Sequence, residues 1–290
     1  MISPRDFVVS VSSVESEDSD KVGLIAARLG QLASIDIPIK KGFVVTPHAF
    51  FMFLKATRLD IKINHLLGAS NFDHPHSVYQ TSVLIRRMIN STLVPQEITQ
   101  DIQKEYKKMG GLLSHATVSL SYSTSEHIQK YVTESDPQLN FNHISGDVHI
   151  IAAIRHAWAA LISPRLVFDL QENLITEIEK HVSLLVQQSP HPQVSGKMFI
   201  QKKGITFTAL YGPVDLDNKN FDEYHINPKN YEIDSEVHRI QKIKLAYSHD
   251  RKYQNVSMFL SRKPKLEFRD IHHLASIAHS IEVHSFFPQE

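Results

Sequence analysis

The chain has no cysteine, no excess of either charge and no long apolar run. Without cysteine there can be no disulfide, no thiolate nucleophile and no cysteine-ligated zinc, although the absence says little about compartment. Lysine plus arginine and aspartate plus glutamate both number 31. No net field therefore draws a polyanion, and nucleic acid is not an expected partner. Lys40 with Lys41, and Arg86 with Arg87, are pairs rather than patches. No segment approaches the roughly 20 apolar residues that span a bilayer. The first 20 residues hold a short apolar patch followed by acids, unlike a secretory leader. The expectation is a soluble cytoplasmic protein with no membrane partner.

What is present is patterned. With 290 residues, the chain can bury a sizeable core as one large domain or two subdomains sharing a cleft. Asp20 can cap a helix over 21–33, in which Ile25, Leu29 and Leu32 recur on one face, so Ile25 reads as a core residue. Residues 35–45 read as extended around Pro38 and Gly42, and Thr46-Pro47 supplies a cap and first-turn proline for a helix through Leu54. Helical patterns follow over 77–90 and 95–109. The stretch 116–123, A-T-V-S-L-S-Y-S, alternates as a half-buried strand, and 124–146 reads as a long polar loop. Helices are predicted over 148–161, with Ile151, Ile154, Trp158 and Leu161 on one stripe, and over 164–171.

From Val182 the texture changes to short strands: V-S-L-L-V-Q-Q, G-K-M-F-I-Q, I-T-F-T-A-L-Y, then 224–226, 231–233 and 237–245. A final helix over 270–284 aligns Ile271, Leu274, Ala275, Ala278 and Ile281. There is no internal repeat, heptad or low-complexity tract. The expected organisation is α+β, with a helix-rich front lobe over 1–181 and a strand-rich rear lobe over 182–290.

The segment K-V-G-L-I-A-A-R-L-G-Q-L followed by I-P-I-K-K-G-F-V-V-T resembles the opening of the nucleotide-binding domain of phosphoenolpyruvate synthase and pyruvate phosphate dikinase. That pattern is V-G-G-K-x-A-x-L-G-E-L and then G-I-P-V-P-x-G-F-V-V-T. Val118 to Thr124 stands where the family reads V-A-V-R-S-S-A-T, and A-I-R-H-A-W-A-A-L-I-S-P-R resembles A-V-R-H-A-W-A-S-L-F-x-x-R. Val186-Gln187-Gln188 resembles V-Q-K, Ser195 to Phe199 resembles S-G-V-M-F, and 222–233 resembles P-D-x-Y-x-V-x-K-x-x-x-x-I. The likeness covers essentially the whole chain. It implies an ATP-grasp-like fold whose intact relatives use ATP and Mg2+ to phosphorylate a carrier histidine on the way from pyruvate to phosphoenolpyruvate.

The departures fall on charged positions. Ile25 occupies the slot of the lysine that the family sets against the ATP phosphates, and Ser121 that of the arginine of V-R-S-S. Leu24 replaces the second glycine, Gln188 the lysine of V-Q-K, and Pro213, Val214 and Asp215 stand in place of a G-L-G-E turn after Gly212. The resemblance also places the metal-binding glutamate and a further glutamine and arginine beyond Glu290. Phosphoryl transfer depends on positioning and on cations that neutralise developing charge, so no residue here is assigned a catalytic role. Gly23, Val186, Gln187 and Gln188 remain as weak nucleotide-binding candidates, and no metal ligand is assigned. Three readings follow: a nucleotide-binding domain without transfer, a non-catalytic regulatory module associating with an intact paralogue or with a partner carrying the missing histidine and phosphoenolpyruvate/pyruvate domains, or a decaying gene product.

Other groups have blander readings. Asp73-His74-Pro75-His76 holds two imidazoles but no partnered ligand at a defined distance, so a polar loop is expected. His272, His273, His279 and His284 read as a solvated helix face, and Trp158 as core. Asp222, Glu223, Asp234 and Glu236 read as acids in turns.

Overall fold

A computed structural model describes residues 2–3, 5–110, 116–124, 128, 141–171, 182–189, 191–201, 204–213, 217–246 and 253–284. The chain divides into two compact units, Met1–Ser189 and Pro190–Glu290. The change of texture in the sequence puts the division at Val182. The strand that begins there belongs by its pairing to the first unit.

In chain order the first unit contains β1 (Val8–Ser10), α1 (Ser19–Val22), α2 (Leu24–Ser34), β2 (Gly42–Val45), α3 (Pro47–Ala56), α4 (Leu59–Gly68), α5 (Pro75–Ser91) and α6 (Gln96–Met109). It continues with β3 (Thr117–Thr124), β4 (Phe141–Ser145), α7 (Asp147–Ala160), α8 (Pro164–Leu170) and β5 (Val182–Gln188). The five strands form one antiparallel sheet in the order β1-β2-β5-β3-β4. Residue alternation separates its two faces. Phe43, Val45, Val118, Leu120, Tyr122, Leu184 and Val186 join the main core, while Val44 and Leu185 join a smaller cluster with Val22, Ala26 and Ala27.

The main core is aromatic at its centre. Trp158 is fully buried, with its ring centroid 5.2 Å from both Phe50 and Phe53, as its stripe on α7 predicts. Tyr122 donates its hydroxyl to the Ala157 carbonyl at 2.6 Å, which ties β3 to α7. The predicted start of α3 is present: Thr46 Oγ1 accepts the Ala49 N–H at 3.3 Å and Pro47 is the first helical residue. Such a cap contributes about 1 kcal/mol.

Three predictions are corrected at the front of this unit. The single helix over 21–33 is two helices, interrupted at Gly23, where φ is 79°. The buried face of α2 is formed by Ala26, Ala27 and Gly30, whereas Ile25 is 40% exposed. Close packing decides the register. A Cβ on Gly30 would lie 2.2 Å from the Val14 carbonyl oxygen, so the closest approach of this helix is made by its smallest residues, with Leu29 packed at the margin. The extended stretch expected over 35–45 is a strand only from Gly42. α4 carries no sequence expectation, and β4 lies within the predicted loop 124–146, most of which is outside the described residues.

The second unit contains β6 (Val194–Gln201), β7 (Gly204–Tyr211), β8 (Asp222–Ile226), β9 (Ile233–Val237), β10 (Ile243–Leu245), β11 (Tyr253–Asn255), α9 (Met258–Ser261) and α10 (Phe268–His284). β6 to β9 form an antiparallel meander, and β10 pairs with β11. The stripe expected on α10 is the one that packs: Ile271, Ala275 and Ala278 are buried against Phe207, Tyr224 and Ile226, with Leu274 and Ile281 alongside. The strands predicted over 231–233 and 237–245 are instead β9 and the short β10. Among the described residues no helix is long and apolar enough to cross a membrane.

Candidate functional site

Gly23 is the hinge on which the front face is built. It precedes α2 in the left-handed region, and a Cβ there would lie 1.9 Å from the Ser123 carbonyl oxygen. Glycine therefore satisfies both a backbone conformation and a close approach. That approach brings the first turn of α2 onto β3, where Ser123 Oγ accepts the Ala26 N–H at 3.0 Å. One of the four orphan amides at the helix start is thus capped from another element, 97 residues away in sequence.

Alternation along β3 sends Ser119, Ser121 and Ser123 to the α2 side of the sheet. Ser123 is fully buried by its contact with α2, and Ser121, two residues earlier, is exposed. On the neighbouring strand Leu185 lies opposite Ser121, and Gln187 lies opposite Ser119 and beside Gly42. Gly42 makes room for this row: a Cβ would lie 2.6 Å from the Val186 carbonyl and 2.9 Å from Gln187 Cγ.

The structure brings some of the sequence candidates together and separates others. Gly23 caps α2 and Ile25 lies in its first turn, while Ser121 and Gln187 occupy strand positions on its side of the sheet. Val186 is fully buried on the opposite face, in the main core with Phe43. Gln188 is engaged elsewhere: its Nε2 donates to the Met109 carbonyl at 2.7 Å, and its backbone N–H donates to the Lys41 carbonyl at 3.0 Å. Ser119 and Ser123 were missed as site neighbours, though the period-two pattern that identifies the strand already places them on the face of Ser121.

No charged residue occurs at 23–27, 117–124 or 182–188. The described segments around this face therefore offer hydroxyls, an amide and backbone groups, all neutral. Residues 23–27, 117–124 and 182–188 can hydrogen-bond a polar ligand but contain no charged side chain of their own to set opposite a phosphate.

In the second unit one pair of ionisable groups is buried. Asp222 and Lys265 both have fully buried side chains, with Lys265 Nζ 2.5 Å from Asp222 Oδ1. Asp222 also accepts the Arg239 N–H at 2.8 Å, the Lys265 N–H at 3.0 Å and the Tyr224 hydroxyl at 3.2 Å, and meets His238 Nδ1 at 3.1 Å. Burial opposes ionisation of Asp222, but the Lys265 ammonium, the two backbone N–H groups and His238 outweigh it and hold the carboxyl below the usual carboxylate range. Burial likewise disfavours a charged His238, but Glu236 and Asp222 prevail and raise its pKa. Burial pushes the Tyr224 hydroxyl up. Reading Asp222 and Glu223 as turn residues is corrected: both lie on β8, and Asp234 and Glu236 lie on β9. Period-two alternation could have shown that Asp222 shares a face with buried Tyr224 and Ile226.

The remaining candidates are surface features. Asp73, His74 and His76 are exposed around the first turn of α5, and His272, His273, His279 and His284 are exposed on α10. Among the described residues no group of three or more histidine, aspartate or glutamate side chains is arranged to hold a metal. Gly212 has a φ of 87°, as a turn requires, while Val214, Asp215 and residues 285–290 lie outside the described residues.

The profile of the family described as pyruvate phosphate dikinase, AMP/ATP-binding domain, matches residues 19–290. A probable phosphoenolpyruvate synthase of Methanocaldococcus jannaschii is 23% identical over 301 residues, covering 98% of this chain and 25% of the relative. One from Staphylothermus marinus is 27% identical over 199 residues, covering 67% of this chain and 24% of the relative. A rifampicin phosphotransferase of Streptomyces sviceus is 25% identical over 195 residues, covering 67% of this chain and 22% of the relative. The chain spans about a quarter of the length of these relatives.

Proposed function

The chain belongs to the pyruvate phosphate dikinase AMP/ATP-binding domain family, and from that premise we propose that it is an adenine-nucleotide-binding module that does not transfer phosphoryl groups by itself. One observation carries this reading. Ile25 and Ser121, in the slots where the family resemblance puts a lysine and an arginine, are both exposed neutral side chains in segments without any charge. Phosphoryl transfer draws its rate from fixed cations that neutralise developing charge, and loss of one such contact costs about two to three orders of magnitude. Two are replaced together here, and Gln188, in the slot of a third cation, is committed to the Met109 carbonyl. The apolar frame and the hydroxyl row of β3 remain, which suits weak binding of ATP, with or without Mg2+.

The same neutral slots at Ile25 and Ser121 support a second reading, a non-catalytic regulatory module that associates with an intact paralogue or with a protein carrying the histidine and phosphoenolpyruvate/pyruvate domains. Both readings predict binding without turnover. Calorimetric titration with ATP, with and without Mg2+, should give saturable heat. Restoring Ile25→Lys with Ser121→Arg should strengthen ATP binding by about tenfold or more, the effect of charge-assisted contacts. Absence of heat or thermal shift at saturating nucleotide would end the nucleotide reading. Pyruvate-dependent ATP consumption by the unmodified chain would overturn the claim that it does not transfer.

A further inference from the structure

The neutral segments of the front face end at residue 27, and the next residue is Arg28. Arg28 is exposed, lies three residues after Ile25 on the outward side of α2, and has no ion-pair partner among the described residues. On an α-helix, residues three apart share a face, with Cβ atoms about 5–6 Å apart and about 4.5 Å of axial rise between them. Helical side chains lean toward the N-terminus, and arginine is long enough to reach back over one turn. Ile25 is 40% exposed, so an Arg28 side chain reaching back one turn would have apolar surface for its methylene stem.

Resting on the nucleotide-binding reading above, we infer that Arg28 supplies the phosphate-binding cation that position 25 lacks, reaching the mouth of α2 from one turn further along. The arrangement keeps a positive charge near the phosphates of a bound nucleotide but moves its point of attachment. A guanidinium presents a planar fork, suited to holding two phosphate oxygens at once, where an ammonium is a compact point charge. Arg28 thus selects nucleotides by their phosphates and leaves the nucleoside part to the neutral face of β3 and β5. It is a binding residue, with no part assigned in phosphoryl transfer. The register of α2 makes this possible. Because Ala26, Ala27 and Gly30 take the buried face, Ile25 and Arg28 are left side by side in solvent. Had Ile25 been core, Arg28 would have been turned with it, away from this position.

The test is calorimetric titration of the intact chain and of Arg28→Gln, Arg28→Lys and Arg87→Gln, each with ATP and with adenosine. Arg87 is an exposed control on α5. Arg28→Gln should weaken ATP by about tenfold or more, as expected for loss of a charge-assisted contact, and leave adenosine unchanged. Arg28→Lys should retain most of the ATP affinity, and Arg87→Gln should behave as the unmodified chain. Ile25→Lys combined with Arg28→Gln should restore ATP binding, because it returns the charge to the neighbouring slot. Unchanged ATP binding by Arg28→Gln, with the unmodified chain binding normally, overturns the role of Arg28 alone. Equal weakening of ATP and adenosine also overturns it, since that pattern reports a disturbed helix. No binding of either ligand by the unmodified chain overturns the nucleotide reading and this inference with it.

Discussion

The sheet face beside α2 in the front unit and the start of β8 in the rear unit treat charge oppositely. In the front unit, the sheet face under α2 is partly open and its segments carry no charge, although family resemblance locates cations there. In the rear unit, a carboxylate at the start of β8 and an ammonium are completely buried; they satisfy each other, the carboxylate also accepts backbone N–H groups, and the ammonium also donates to the Arg239 carbonyl. Charge is thus built into the packing at the start of β8, whereas residues 23–27, 117–124 and 182–188 of the front face carry none and the exposed Arg28 stands one turn beyond Ile25. A buried pair is costly to break and contributes little to ligand recognition, whereas an exposed neutral face is cheap to change and open to regained function.

The comparison is most directly broken at Asp222. Asp222→Ala should destabilise the protein by about 3–5 kcal/mol, because Lys265 is left buried and unpaired. Asp222→Leu with Lys265→Met should recover only part of this, since the Arg239 and Lys265 N–H groups lose their acceptor. Chemical unfolding measures both. A loss below about 1 kcal/mol for Asp222→Ala would show that the pair is not the anchor its burial implies.

The next effect belongs to Gly23. Gly23→Ala should cost about 2 kcal/mol or more, because the new Cβ meets the Ser123 carbonyl and the left-handed backbone disfavours it. A thermal shift within error would mean that the junction of α1, α2 and β3 is looser than the 1.9 Å approach demands.

A smaller effect is expected from pH. Asp222 has a lowered pKa, so its contribution is present above its unfolded value of about 3.9 and is lost as pH falls through the folded value. His238 has a raised pKa, so its contribution is present below about 6.5 and is lost as pH rises through the folded value. Between pH 6 and 9 the unmodified chain should therefore lose a little stability that His238→Gln does not. Parallel stability profiles for the two proteins would remove His238 from the network. The smallest effect tests the open face: Ile25→Lys with Ser121→Arg should change stability by no more than about 0.5 kcal/mol, because both side chains are exposed.

Much of this structure is legible in local pattern. Thr46-Pro47 announces α3, alternation over A-T-V-S-L-S-Y-S announces β3, and the stripe Ile271, Leu274, Ala275, Ala278 and Ile281 is the buried face of α10. Each depends on residues a few positions apart, so sequence alone suffices. The failures share one cause. Hydrophobicity places Ile25 in the core, but the close approach of α2 at Gly30 turns Ala26, Ala27 and Gly30 inward and leaves Ile25 out. Asp222 was assigned to a turn by polarity, but its partner Lys265 is 43 residues away.

By itself, the sequence determined the family, the α+β class, most helix and strand positions and the absence of charge from three segments. Tertiary structure decided which residues those segments expose. It put Ser121 and Ile25 in solvent, Val186 in the core, Gln188 on the Met109 carbonyl and Asp222 on Lys265. The physical reason is range. Propensity, capping and alternation are set by neighbours along the chain, whereas burial and ionic pairing depend on groups that meet only when distant segments pack.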